Sequence, residues 1–250
     1  METLTNFPVL VPISSNLIYG FSYNQMGDSE YGKDLRFTDA TQTNELFFEK
    51  EWWNPAGTSY VWVCLPLLTG TNTSIWMLWG NAVADNPSYT TNGSVWAGGR
   101  YGGVWHMTEN VGNGGIQYDS TSNKINATFY DSNGNSAAGV LGLLGRSNRL
   151  YGDGDYLQAP HHNAIQPTTK FTMSLWAKSN LANWNENGFF ISKRDAYIFH
   201  PNANTRSITF YIYIGGWQTI YFTPSEITNW HYYVATYNGS VMRTYLDGVQ

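Results

Sequence analysis

The stretch Asn-Trp-His-Tyr-Tyr-Val-Ala-Thr-Tyr-Asn-Gly-Ser-Val-Met-Arg-Thr-Tyr-Leu-Asp-Gly, residues 229–248, decides the fold of this chain. Two apolar, aromatic-rich runs, residues 230–237 and 241–246, flank an Asn-Gly-Ser turn at 238–240. Asn-Gly is a strong hairpin signal because both residues tolerate a positive φ. The stretch therefore predicts a β-hairpin, followed by a second turn at residues 247–248.

The composition is that of an all-β protein. Of the 250 residues, 16% are aromatic and only 12% are charged, and no sustained apolar repeat of helical period is visible. The net charge of −5 leaves no basic stripe for a phosphate backbone, so we expect no nucleic acid partner. No apolar run is long enough to span a bilayer, so we expect no membrane insertion.

The cysteine content and the N-terminus restrict the cellular setting. The single cysteine, Cys64, excludes a disulfide framework and a cysteine zinc site, and its apolar surroundings favour a core position. The first residues, Met1-Glu2-Thr3, lack the basic and apolar segments of a signal peptide. The chain is therefore either cytoplasmic or preceded by a secretion signal upstream of residue 1.

Five sequence blocks follow one another in the N-terminal third. They are Asn-Phe-Pro-Val-Leu-Val (6–11), Asp-Leu-Arg-Phe-Thr-Asp (34–39), Leu-Phe-Phe-Glu-Lys-Glu-Trp (46–52), Val-Trp-Val-Cys-Leu-Pro (61–66) and Ile-Trp-Met-Leu-Trp-Gly-Asn (75–81). Together they resemble the domain of unknown function DUF2341, except that Leu78-Trp79 replaces two tyrosines. The resemblance implies a β domain of unestablished activity that is typically found beside laminin-G-like domains in large surface proteins.

The hairpin stretch belongs to a second set of motifs. Residues 230–248 resemble the W-H-x-x-V-A-T-Y signature, ending in Y-x-D-G, of the laminin-G-like, concanavalin-A-like jelly rolls. Residues 103–107 (Gly-Val-Trp-His-Met), 119–123 and 149–157 resemble earlier parts of the same family. The resemblance implies a two-sheet antiparallel sandwich outside the cell or on its surface. Such domains mostly recognise glycans or proteins, and sometimes hydrolyse glycans.

We predict two β-sandwich domains, a DUF2341-like domain over residues 1–92 and a laminin-G-like jelly roll over residues 96–250. The boundary near residue 93 rests on residues 85–103, which are rich in Asn, Gly, Ser and Thr. Family jelly rolls continue beyond the turn at 247–248. We therefore expect the second domain to be incomplete, with an open edge along residues 241–246.

A second hairpin is predicted where residues 208–214 and 217–222 flank Gly215-Gly216, interpreted as a two-residue turn. In that register the core face carries Ile208, Phe210, Ile212, Ile214, Trp217, Thr219 and Tyr221, and the opposite face carries Thr209, Tyr211, Tyr213, Gln218, Ile220 and Phe222. Other predicted core residues are Phe171, Met173, Leu175, Trp176 and Trp230.

Aromatic residues provide the candidate ligand site. Tyr211, Tyr213 and Gln218 lie on the opposite face of the predicted hairpin, where aromatic rings and polar groups alternate. Trp184 lies in a polar loop, where an exposed ring beside amides suits a sugar. The alternative for Trp184 is that the loop folds back and the ring covers the core.

The acidic residues offer weaker candidates. Glu49 and Glu51 have the spacing of a glycosidase carboxylate pair, but a solvent-facing pair or an ion pair is the more ordinary interpretation. The Asp153-Gly-Asp155 sequence has the spacing of a calcium loop, although a plain turn is favoured; calcium is the one candidate cofactor. The five histidines form no transition-metal motif.

Three functions remain open at this stage. The first is a non-catalytic recognition module of a secreted or cell-surface protein, with a polysaccharide, another glycan or a cell-surface protein as partner. The second is a glycan hydrolase or lyase on the same scaffold, and the third is a structural spacer or adhesin segment. A carboxylate pair in a cleft favours the enzyme, an open aromatic face favours the recognition module, and a featureless surface favours the spacer.

Overall fold

The computed structural model contains two compact units, Met1–Pro160 and His161–Gln250. Strands make up 39% of the residues and helices 5%, so the predicted all-β fold is confirmed. The longest helix in the described part of the chain is α1 (Ser94–Ala97), a single turn. The structure describes residues 3–70, 72–98, 101–152, 154–167, 169–185 and 188–250.

The first unit consists of short antiparallel strands. In chain order they are β1 (Leu4–Ile13), β2 (Arg36–Asp39), β3 (Glu45–Leu46), β4 (Phe48–Trp52), β5 (Ser59–Leu68), β6 (Ile75–Leu78), β7 (Ile116–Gln117), β8 (Ala127–Tyr130), β9 (Ala137–Leu141), β10 (Arg146–Arg149) and β11 (Tyr156–Gln158). The sheets have the strand orders β1-β5-β4, β3-β2-β6, β11-β8-β7 and β10-β9. Strand β1 lies at a sheet edge, as its two prolines predict.

The main core of the first unit is built by strands of the first two sheets. Side chains alternate along β5, so Val61 and Val63 both point into this core. Phe37 on β2 and Phe48 on β4 are fully buried, and their ring centroids lie 5.4 Å apart in an edge-to-face arrangement. Both residues belong to the DUF2341-like blocks, so those motifs encode the core.

The chain divides into its two compact units after Pro160, whereas the sequence predicts a domain boundary near residue 93. The segment that follows α1 packs with the first unit, because the His106 imidazole lies 3.2 Å from Glu49 on β4. Residues 103–107, interpreted as the first jelly-roll strand, contribute only an isolated bridge between Trp105 and Asp119. The described residues between 96 and 160 therefore belong to the same compact unit as the N-terminal strands, a long-range arrangement that local composition does not reveal.

The second unit is a two-sheet sandwich. Its strands are β12 (Phe171–Ala177), β13 (Ile191–Lys193), β14 (Tyr197–Pro201), β15 (Ile208–Tyr213), β16 (Trp217–Phe222), β17 (His231–Tyr237) and β18 (Met242–Leu246). The two sheets have the orders β12-β17-β18 and β13-β14-β15-β16, and all their pairs are antiparallel. Residues from both sheets form one hydrophobic core.

The hairpin of β17 and β18 forms as its sequence predicts. Tyr237 pairs with Met242, and the side chain of Asn238 closes the turn by accepting the backbone N–H groups of Ser240 and Val241. Gly239 has a φ of 99°, which only glycine adopts readily. Among the described strands, β18 pairs with β17 alone, so its other side is an open sheet edge.

The hairpin of β15 and β16 has a different register from the predicted one. Tyr213 pairs with Trp217, so the connection contains three residues, Ile214, Gly215 and Gly216, rather than two. A one-residue shift moves every side chain of a strand to the other face. The prediction for β16 is therefore wrong: Trp217, Thr219 and Tyr221 point outwards, and Gln218, Ile220 and Phe222 point to the side of Ile212.

The predicted core of the second unit is largely confirmed. Met173, Ile208, Phe210 and Ile212 are buried, and Phe171 and Leu175 pack against them. The two tryptophans were wrongly placed. Trp176 is 43% exposed because it alternates with inward-facing Leu175 along β12. Trp230 precedes β17 and is only partly buried; its ring lies beneath the Lys178 ammonium.

We expect Phe210→Ala to lower the free energy of unfolding by about 3–5 kcal/mol, because it empties a fully buried aromatic site. Tyr221→Ala, on the exposed face of the neighbouring strand, is the control and is expected to change stability by less than about 0.5 kcal/mol. Urea denaturation of both variants measures the difference. Equal losses of unfolding free energy in the two variants would contradict the assignment of Phe210 to the buried face and Tyr221 to the exposed face.

Candidate functional site

The outward side of the β13-β14-β15-β16 sheet carries a group of aromatic rings, most of which contact one another. Strand alternation and the β15/β16 register place them together, since outward residues on paired strands lie side by side. We call this group the aromatic face; its members are Phe189, His200, Tyr211, Tyr213, Trp217 and Tyr221. Exposure is highest for Phe189, at 61%, and Tyr221, at 74%.

The rings of the aromatic face form a row that crosses the strands. The centroid of Phe189 lies 5.8 Å from that of His200, which stacks on Tyr211 at 5.3 Å with an interplanar angle of 10°. Trp217 then lies 6.3 Å from Tyr211 and 5.4 Å from Tyr213, in edge-to-face geometry. Each ring is oriented by its neighbours. The row therefore consists of rings in mutual contact, all of them on strands except Phe189, which lies just before β13.

His200 has a defined orientation within this row. Its Nδ1 lies 2.6 Å from the carbonyl oxygen of Pro201, and a carbonyl can only accept, so Nδ1 carries the proton. In the neutral imidazole, Nε2 is consequently an acceptor. The row thus combines ring surfaces with one hydrogen-bonding nitrogen of known role.

No outward position on these four strands is occupied by Asp, Glu, Lys or Arg. The outward residues, all within the described part of the chain, are Ser192, Ile198, His200, Thr209, Tyr211, Tyr213, Trp217, Thr219 and Tyr221. The polar groups that they offer are hydroxyls, an indole N–H and an imidazole. The surface can stack against a flat apolar partner and exchange hydrogen bonds, but it offers no carboxylate for acid-base chemistry.

Two of the four predicted ligand-binding residues lie on the aromatic face and two do not. Tyr211 and Tyr213 are there, and Tyr213 is 48% exposed. Gln218 points to the other side of the sheet, opposite Ile212, because of the register shift. There it lines a separate cleft of about 370 Å³ between β16 and β18.

Trp184 is also absent from the aromatic face, so its predicted exposure is wrong. It is only 8% exposed, and its ring packs edge to face on Phe190 in the core. The polar loop folds back because the backbone of Trp184 bonds to Thr205 and Asn204, about twenty positions later in the chain. These long-range bonds select the alternative in which the ring covers the core.

The calcium candidates do not gain support from their surroundings. Both carboxylate oxygens of Asp155 accept hydrogen bonds, from the backbone of Ser132 and from the hydroxyl of Ser136 and the backbone of Tyr151. The Ser136 hydroxyl is the main cause of a lowered pKa at Asp155. These donors satisfy both carboxylate oxygens, as expected of the turn residue that the sequence favours. Asp153 lies outside the described residues.

The pair Glu49 and Glu51 lies inside the first unit rather than facing solvent. Both residues point to the same side of β4, where His106 lies between them. His106 Nδ1 bonds to Glu51, and Nε2 lies 3.2 Å from Glu49 Oε1, outside hydrogen-bond geometry. The indole N–H groups of Trp62 and Trp96 donate to Glu51 at 2.8 Å and to Glu49 at 2.7 Å.

This cluster holds a charged histidine in the protein interior. Burial alone would lower the pKa of His106, but the two carboxylates outweigh that effect and raise it to about 10. Glu51 Oε2 in turn accepts from the imidazolium and from Trp62, and Glu49 accepts from Trp96 and from the Ser120 hydroxyl. Of the two ordinary interpretations, the solvent-facing pair is therefore wrong; the two acids form an ion cluster, with His106 as the cation, between β4 and the segment around residue 106.

A second histidine of the same kind explains the hairpin signature. His231 Nδ1 lies 2.7 Å from Asp247, and Nε2 lies 2.7 Å from Glu226. Both carboxylates favour the imidazolium, so the pKa of His231 is raised despite partial burial. Asp247 also accepts the backbone N–H of Tyr232. The histidine and the final aspartate of the signature therefore fasten the end of β18 to the start of β17.

The second unit is thus an antiparallel sandwich with an uncharged aromatic face on one sheet, a class of architecture suited to ligand recognition. Comparison with protein families agrees: residues 151–250 match the concanavalin A-like lectin/glucanases superfamily, and residues 31–95 match the domain of unknown function DUF2341. The chain contains these two domains in the order that the sequence motifs predict.

The two matched segments cover only part of the chain, residues 31–95 and 151–250. The concanavalin A-like match includes the whole aromatic face, so the candidate site lies in a domain of carbohydrate-binding type. Residues 96–150 fall between the two matches, and their domain assignment stays a prediction. Searches of curated proteins and of solved structures find no significant match. Within the described residues, no helix is long and apolar enough to cross a membrane.

The ion cluster at His106 predicts a pH-dependent stability. The pKa is about 10 in the folded protein and about 6.5 in an unfolded chain, so folding tightens proton binding. The stabilisation is complete below about pH 6.5 and is lost as the pH rises through about 10. The melting temperature of His106→Gln should therefore lie furthest below that of the wild type at about pH 6.5 and below.

Thermal melting of both proteins between about pH 6 and about pH 10 tests this. The difference in melting temperature between the wild type and His106→Gln is expected to narrow as the pH rises. His161→Gln, at an exposed histidine, is the control, and its difference from the wild type should not change with pH. A His106→Gln difference of constant size across this range would contradict a charged His106.

Proposed function

We propose that the protein is a non-catalytic carbohydrate-recognition module of a secreted or cell-surface protein, and that the aromatic face is its binding surface. The observation that carries the proposal is the row of contacting rings across one exposed sheet in a concanavalin A-like domain. The pairing of a DUF2341-like domain with a laminin-G-like domain supports the location.

The chemistry of the aromatic face suits sugars. A pyranose ring presents a surface of C–H groups that lies flat against an aromatic ring, with hydroxyls around its rim. Tyr213 and Trp217 offer such ring surfaces, and aromatic contacts of this kind contribute about 0.5–1.5 kcal/mol beyond the area they bury. The neighbouring hydroxyls of Thr219 and Tyr211 can exchange hydrogen bonds with that rim.

A glycan hydrolase is the less favoured candidate. Hydrolysis requires two carboxyl groups, about 5–5.5 Å apart in retaining enzymes and about 6.5–9.5 Å apart in inverting ones, on either side of the scissile bond. The outward strand positions of the aromatic face carry no carboxylate. Two acid pairs, at His106 and at His231, each bind an imidazolium instead.

We expect Trp217→Ala to weaken polysaccharide binding about fivefold or more, since it removes about 1 kcal/mol of stacking. Affinity electrophoresis in gels that contain soluble polysaccharides measures the effect. The matched control is Trp176→Ala, because Trp176 is equally exposed but belongs to the other sheet. If Trp176→Ala weakens binding more than Trp217→Ala does, the binding site lies on the β12-β17-β18 sheet and the proposal is wrong. Undiminished binding in a Tyr211/Tyr213 double alanine variant would likewise exclude the aromatic face as the binding surface.

A further inference from the structure

We infer that the ligand of the aromatic face is an uncharged glycan chain that lies across the strands, and that ionic contacts contribute nothing to its recognition. This inference rests on the proposed function and narrows its ligand class. It starts from the side chains that a bound polymer would meet, and none of the described outward strand positions holds Asp, Glu, Lys or Arg.

Several charged residues of the second unit have partners of their own. Lys193 contacts His161, and Arg206 donates to the carbonyl of Ser225. Glu226 and Asp247 both bind His231. At one end of the sheet, the β13/β14 turn carries Arg194 and Asp195, which are adjacent and of opposite sign. These residues therefore give the aromatic face no local excess of positive charge.

An acidic glycan would bind poorly to such a surface. Uronic acids and sulfated sugars lose hydration when they approach aromatic rings, and that loss is costly unless a cation or several donors replace the water. Proteins that recognise carboxylate or sulfate groups supply Arg or Lys for this purpose. Here the rings and hydroxyls match the C–H surfaces and hydroxyls of a neutral sugar instead.

The direction of the row of rings indicates how the bound glycan lies on the sheet. Rings from Phe189 through His200 and Tyr211 to Trp217 follow the order of the strands, with steps of 5.3–6.3 Å between centroids. Four strands spaced about 4.8 Å apart give a platform about 15 Å wide. A platform of this width accommodates several consecutive sugar rings, so an oligosaccharide segment fits it better than a single sugar.

The test compares neutral and acidic polysaccharides with the intact chain. The neutral probes are hydroxyethylcellulose, xyloglucan, galactomannan and amylose, and the acidic probes are polygalacturonate, alginate and heparin. We expect at least one neutral polymer to retard the protein in affinity electrophoresis. The affinity for that polymer should change by less than about twofold between about 0.01 M and about 1 M salt, because screening over this range removes only ionic attraction. Preference for an acidic polymer, with affinity that falls as salt rises, would overturn the inference while leaving the proposed function intact. If none of the seven polysaccharides retards the protein, both the inference and the proposed function are wrong.

A matched pair of variants tests the location. Thr219 points outwards opposite Tyr211 and is exposed, so a longer side chain fits there without disturbing the core. Thr219→Lys should acquire salt-sensitive binding to polygalacturonate at least about tenfold above that of Thr219→Glu, because it supplies the missing cation. Both variants should bind the neutral polymer less tightly than the wild type. Unchanged neutral binding in both would overturn the placement of the chain across Tyr211 and Thr219.

Discussion

The pairing of Tyr213 with Trp217 is the constraint on which the candidate site depends. A loop of three residues between β15 and β16 fixes that pair, and alternation along the strands then determines the direction of every side chain on β16. With one residue fewer in the loop, Trp217 and Tyr221 would point into the sandwich. The exposed row of rings and the buried contacts of Ile220 and Phe222 are therefore two results of a single register.

Two histidines perform the same structural task in the two units. His106 and His231 each lie between a pair of carboxylates, and in both cases the imidazolium joins segments that are separate in the chain. An imidazolium is well suited to this role because its two N–H groups point in different directions and each can meet one acid. The Trp-His pairs in the sequence motifs thus mark points of attachment, and they leave the binding chemistry to other residues.

Local patterns in the sequence were sufficient for the fold and insufficient for part of the site. The turn at Asn238-Gly239 and the two families were predicted because each signal lies within a few residues. Tyr211 and Tyr213 were placed on the outward face for the same reason. Trp217 was assigned to the wrong face because Gly215-Gly216 fits a two-residue or a three-residue loop equally well. Trp184 was misplaced because its backbone partners, Asn204 and Thr205, lie far along the chain, as does His106 from Glu49.

Because the aromatic face is carried by strands, its rings occupy their positions before any ligand arrives. Strand backbones and ring-to-ring contacts hold Tyr211 and His200 in place, so little conformational entropy remains to be lost on the protein side. The thermodynamics of association would then be dominated by water leaving the ring surfaces. A binding heat capacity that is negative and proportional to the ring area covered is the signature of such a preformed platform.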